Sequence, residues 1–201
     1  MKNKLFLAGI LAFMLVFGMV VVGCNNSTDN STDNSTGNGE IVIDGWTWTV
    51  GNDSFNGGTS TIAMEKVVGS NRLKFTGNLT TDFDGHGYAV CYALPNNTNQ
   101  EALRNSNGFS FKCKGDGKSY VVEVTTLGIT DYCWYRSVFE ASETEKTIEI
   151  LYEDLYQLDW GTQVEFDKSK ITSIQFMAAT GETGVGSFSF TIGDIHIGVS
   201  D

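Results

Sequence analysis

Two runs of alternating side chains joined by a turn, Lys114 to Glu140 (KGDGKSYVVEVTTLGITDYCWYRSVFE), set the tightest limit on what this chain can become. Side chains of a strand point to opposite faces with a period of two. Tyr120, Val122 and Val124 therefore form one row, and Val121, Glu123 and Thr125 the other. The first row is apolar and the second mixed, which is the pattern of a sheet with one buried face. The second run separates Tyr132, Trp134 and Arg136 from Cys133, Tyr135, Ser137 and Phe139. An arginine in one row with two large aromatic residues is an odd set to bury.

The same period recurs along the body. Ile41 to Ile43, Trp46 to Val50, Ile62 to Met64, Leu73 to Phe75 and Tyr88 to Leu94 read as strands, as does the stretch that sets Phe109, Phe111 and Cys113 on one face. Thr147 to Leu151, Ile171 to Met177 and Gly186 to Ile197 complete the series. In the last of these, Phe188, Phe190 and Ile192 share one face, while Ile195 and Ile197 follow the opposite parity. Gly193-Asp194 at the changeover predicts a β-bulge. Asn96 to Asn107 is polar, with one short helical turn expected around Glu101 to Leu103. Tyr152 to Gln163 reads as a loop anchored by Leu155, Leu158 and Trp160. With 23 Gly, a single Pro and turn signals between the strands, the chain is expected to be all-β: a two-sheet β-sandwich of the jelly-roll type.

The N-terminus lies outside this pattern. Lys2 and Lys4 precede an apolar run from Leu5 to Val22, and Val21-Val22-Gly23-Cys24 closes it. A basic start, an apolar stretch and small residues before a cleavage point make an export signal. The cysteine after Gly23 resembles the lipobox of bacterial lipoproteins, with Val21 where Leu is usual. That resemblance implies a diacylglycerol thioether on Cys24, cleavage before it, and a lipid-anchored place in the bacterial cell envelope, at the outer membrane or cell surface. The alternative is an uncleaved membrane helix. Asn25 to Gly39, NNSTDNSTDNSTGNG, cannot build a core and reads as a solvated tether of about 20 Å r.m.s. span. The expected organisation is a signal over residues 1–23, a lipidated Cys and tether over 24–39, and one domain over 40–201.

Composition excludes some functions. With 24 acidic and 13 basic residues the formal net charge is -11, and no basic patch offsets it, so no nucleic-acid partner is expected. Beyond Cys24 the cysteines are Cys91, Cys113 and Cys133, an odd number placed in apparent strands, where buried thiols are the default. The two histidines are His86, between glycines in a turn, and His196, at a strand end. Neither sits in a Ser-His-Asp pattern, and no C-x-x-C suggests zinc. Abundant carboxylates make accidental pairs certain, so they are no evidence of a glycosidase. No catalytic constellation emerges. What the chain does offer is the row Tyr132, Trp134 and Arg136: flat faces that stack on a ring and planar donors that orient it, or simply an arginine shielding Trp134 from water.

The order of local patterns resembles the carbohydrate-binding modules of family 11 and the complex I intermediate-associated protein 30 domain, both galactose-binding-like jelly rolls. The matching pieces are Trp48 followed by NDSFNGGTS, then GFSFKCKGDGKSYVVEV, YRSVFEA, TIEILYEDL, FDKSKITSIQFM and GSFSFTIGDIHI, together about residues 44–198. In such modules one sheet binds a β-glucan chain through tyrosines, an arginine and acidic residues. The resemblance implies a polysaccharide ligand held by Tyr120, Glu123, Tyr132, Trp134 and Arg136, with His86 and Tyr88 at the rim. It further implies a structural calcium near the first and last strands, for which Asp44 and Asp194 are the candidate ligands. A partner enzyme or envelope protein would receive the captured glycan. A protein-assembly module is the competing expectation, and a glycoside hydrolase a third.

Overall fold

Alternation resolves into two antiparallel sheets in the computed structural model, which describes residues 39–199. The signal, Cys24 and the tether lie outside the described residues. The six-stranded sheet contains β1 (Ile41–Ile43), β2 (Trp46–Asn52), β5 (Tyr88–Pro95), β10 (Ile171–Ala179), β7 (Ser119–Thr126) and β8 (Tyr135–Glu140), in that spatial order. The five-stranded sheet runs β3 (Thr61–Lys66), β4 (Arg72–Leu79), β11 (Gly186–Ile197), β6 (Gly108–Gly115) and β9 (Lys146–Leu151). Non-consecutive neighbours in both sheets give the crossed connections of a jelly-roll sandwich.

The apolar rows meet between the sheets. Trp48, Phe176, Tyr120 and Phe139 of the larger sheet pack on Phe75, Phe111, Phe188 and Phe190 of the smaller one, and all eight are buried. Ring centroids lie 5.9 Å apart for Trp48–Phe176, 5.0 Å for Phe111–Phe176 and 4.4 Å for Tyr120–Phe190. Each such side chain contributes roughly 1.5–3 kcal/mol on burial, so this aromatic layer fixes which face of each sheet is left for other work. Cys91, Cys113 and Cys133 are all free and buried, where the odd count required only one free thiol. Burial pushes the Cys113 thiol up to about 12.

The bulge forms where expected. Pairing of β11 with β6 slips between Gly193 and His196, Asp194 takes φ 50°, and Ile195 and Ile197 turn to pack against the core. Two expectations change. The helical turn is a nine-residue helix, α1 (Asn97–Asn105), because the Asn96 side chain accepts from Asn99 N at 2.9 Å and Leu103 plugs the core. The second strand of the central hairpin starts at Tyr135, because Tyr132 adopts φ 64° and breaks the extended run before Trp134.

Candidate functional site

The outer face of the six-stranded sheet carries the second, mixed row. Register places Thr49 opposite Tyr92, Tyr92 opposite Gln175, Gln175 opposite Glu123, and Glu123 opposite Arg136. Opposed residues of a ladder point to the same face. Five side chains from β2, β5, β10, β7 and β8 thus form one line across the sheet. Tyr156, in the β9–β10 loop, adds a sixth. Its backbone exchanges both hydrogen bonds with Arg136, at 2.8 and 3.1 Å, so its exposed side chain also lies on this face. At a strand spacing near 4.8 Å the line from Thr49 to Tyr156 is about 24 Å long.

The middle of the line is polar and shielded from water. Gln175 Nε2 donates to Glu123 Oε2, and Arg136 Nη2 donates to Glu182 Oε1 at 2.8 Å. Burial pushes the Glu123 carboxyl up, against the Gln175 donation and the Arg136 charge, which lower it. The Glu182 charge adds to the upward shift. Arg136 is 5% exposed, and its Nε is the buried side-chain polar atom left without a partner among the described residues. An orphaned buried donor of this kind costs about 1–3 kcal/mol.

Aromatic rings flank these groups. A Cβ built on Gly51 would sit 3.2 Å from Tyr92 Cε2 and 3.4 Å from its hydroxyl, so the Tyr92 ring lies flat over β2 where a glycine makes room. Burial, with charge contributions from Tyr88, Glu123 and Tyr132 among others, raises the Tyr92 phenol to about 12. Tyr132 lies in the β7–β8 loop. Its ring meets Trp134 edge-on, with centroids 6.1 Å apart, and both side chains are half-buried. A positive φ on a tyrosine costs about 1–3 kcal/mol. The surrounding loop holds it: Asp131 accepts from Thr162 N at 2.7 Å and from Cys133 N at 3.2 Å, and Cys133 Sγ donates to Leu158 O.

The structure sets Glu123 opposite Arg136 in the β7–β8 ladder, and Tyr132 against Trp134 in the loop just before β8. Tyr120 is corrected. It belongs to the inward row, is fully buried between the sheets, and gives its hydroxyl to Asp116 at 2.8 Å, so it offers nothing to this face. Tyr88 lies on the correct face at the end of β5, where it accepts from Asn56 Nδ2 and meets the Phe83 ring. His86 is exposed in the adjoining turn. Sequence reasoning missed Thr49, Tyr92, Gln175, Tyr156 and Glu182. Tyr92 shares the parity of Tyr88 and was legible. The others depend on register with distant strands.

Asp44 and Asp194 do come together, lining one small depression with Asn71 and Leu73. Asn71 Nδ2 donates to both Asp44 oxygens, while Arg72 Nη2 and Lys112 Nζ lie 3.2 and 3.6 Å from Asp194 Oδ2. Calcium takes six to eight oxygens. Two carboxylates, one already facing two cations, do not fit it, and no group of three His, Cys, Asp or Glu suited to a metal occurs among the described residues.

A family model described as complex I intermediate-associated protein 30 matches residues 42–192. The chain is 28% identical over 167 residues to endoglucanase 3 of Fibrobacter succinogenes, covering 75% of this chain and 24% of that protein. It thus spans about a quarter of that relative's length. Among solved structures it is similar to the family 11 carbohydrate-binding module of Clostridium thermocellum in complex with a beta-1,3-1,4-mixed-linked tetrasaccharide. That match has a TM-score of 0.51 and 19% identity, covering 80% of this chain and 92% of that one. A solution structure of CtCBM11 matches with a TM-score of 0.51 and 20% identity, over 82% and 94% of the two chains. At these identities the structural similarity is one of fold.

Proposed function

The chain belongs to the complex I intermediate-associated protein 30 family, and from that premise we propose that its sandwich binds a polysaccharide of the β-glucan type on the outer face of the six-stranded sheet, without cleaving it. The observation that carries this reading is the line Thr49–Tyr92–Gln175–Glu123–Arg136–Tyr156, with an unpartnered guanidinium Nε near its end. Sugars present apolar ring faces and many hydroxyls. Tyr92, Tyr132 and Trp134 supply stacking surfaces; Gln175, Glu123 and Arg136 supply donors and acceptors. The strained Tyr132 supports a role in binding, since such conformations gather at ligand sites. The fold shared with a module solved with a mixed-linked tetrasaccharide supports the same ligand class.

In this reading Cys24 carries the lipid that anchors the chain to the cell envelope, where the sandwich captures glycan for a partner enzyme or envelope protein. Affinity electrophoresis of the full chain through gels containing soluble β-glucan tests it, with Trp134→Ala and Tyr92→Ala alongside. Retardation of the parent chain that both variants lose supports the platform. Absence of retardation across glucans, xylans and mannans sinks it. The family description favours one other reading, in which the same face docks a polypeptide during assembly of a complex. Release of reducing ends from the gel glucan would instead point to hydrolysis, with the raised Glu123 carboxyl as the acid.

A further inference from the structure

A buried arginine on a binding face ordinarily recruits anions, because its planar donors match a carboxylate or sulfate. Here two carboxylates already surround it. Glu123 stands opposite Arg136 in the β7–β8 ladder, and Glu182 reaches Nη2 from the turn after β10. Resting on the glycan reading above, we infer that Glu182 sets the charge selectivity of this face: by occupying Arg136 it directs the site to uncharged sugars and turns away uronates and sulfated sugars.

Both ends of this ion pair are fixed by backbone. The N–H and C=O of Arg136 bond to Tyr156. The turn that presents Glu182 is pinned by the next residue, Thr183, which is buried. Thr183 N donates to Ala179 O at 2.7 Å, its hydroxyl donates to Ser119 O at 2.7 Å, and the same hydroxyl accepts from Ala179 N at 3.2 Å. Surface pairs elsewhere differ in kind. Lys74–Glu65 leaves its side chains 43% and 66% exposed, whereas Arg136 and Glu182 retain 6% and 28%. Arg136 Nε is itself buried, so the charge that a ligand meets at this end of the line is set by the Arg136–Glu182 pair. An anionic group placed there would lie beside Glu182 and Glu123 at once.

The test runs the full chain and Glu182→Gln through gels containing one neutral β-glucan or its carboxymethylated derivative, so that only ligand charge differs. The parent chain is expected to bind the neutral polymer and ignore the charged one. Glu182→Gln is expected to shift the ratio of charged-polymer to neutral-polymer binding upward by about tenfold, as one nearby repulsive charge disappears. That gain should vanish near 1 M salt, where the Debye length is about 3 Å. An unchanged ratio, or a parent chain that binds both polymers equally, overturns the inference. If the parent binds no neutral glucan, the glycan reading itself fails, and a second readout decides the role of Glu182. The Glu123 carboxyl is faced by Gln175, Arg136, Glu182 and Tyr92. Its NMR titration midpoint must fall in Glu182→Gln; an unmoved midpoint shows that Glu182 does not control the charge around Arg136.

Discussion

Burial pushes the Glu123 carboxyl above the ordinary glutamate range, and the Gln175 donation and Arg136 charge recover only part of that penalty. A carboxyl raised in the folded state holds its proton more tightly there than in the unfolded chain. Its contribution to stability is therefore full at acid pH and is lost as pH rises through the glutamate range of about 4.3 to the raised folded value. Glu123→Gln keeps an acceptor for Gln175 and removes the buried charge. Its melting temperature should equal the parent's at acid pH and exceed it at neutral pH; a variant less stable at pH 7 would contradict this reading. Gly51 makes the matching point for the aromatic part of the site. A valine there would lift the Tyr92 ring from β2. Gly51→Val should weaken glucan binding about 2- to 10-fold, the worth of one aromatic contact, with the fold retained by circular dichroism.

At the scale of elements, the β7–β8 and β9–β10 loops behave as one unit. Asp131 bonds to Thr162 N and Cys133 N, Gln157 Nε2 reaches Cys133 O at 2.6 Å, and a Cβ on Gly161 would meet Cys133 Cβ at 2.2 Å. The two backbone donors hold the Asp131 carboxyl below its usual range, so its contribution is present at neutral pH and lost as pH falls. Asp131→Ala should cost about 1–2 kcal/mol in denaturant melts and speed amide exchange at Cys133 and Thr162. Unchanged exchange would show that the loops are independent. The strands on either side were legible from their runs of β-branched and aromatic residues, Tyr88 to Leu94 and Tyr120 to Thr125, and the parity change at Gly193-Asp194 marks the bulge. The loop geometry was not. Nothing local announces that Tyr132 takes a positive φ, or that Tyr156 pairs with Arg136; both follow from contacts between separate segments. For the same reason Arg136 and Glu123 could be named from sequence, while Gln175 and Glu182, which satisfy them, could not.

For the whole molecule, the inner faces of the two sheets form the aromatic core, and the line from Thr49 to Tyr156 lies on the outer face of the larger sheet, where we place the proposed ligand. At the sandwich edge Arg72 pairs with Glu145 and Asp194, a charge link in the place where calcium was expected. The melting temperature should accordingly stay unmoved by millimolar calcium or by chelator, and a calcium-dependent rise lost in Asp194→Asn would refute that. Arg72→Met should lower stability by no more than about 1 kcal/mol, because the three side chains are all partly exposed. The central claim concerns the face, and an NMR titration of the protein with a mixed-linked β-glucan tetrasaccharide tests it most directly. Shifts concentrated at Thr49, Tyr92, Glu123, Gln175, Arg136, Tyr156 and the Tyr132–Trp134 loop are the predicted result. Shifts on the outer face of the five-stranded sheet, or none at saturating sugar, would contradict it.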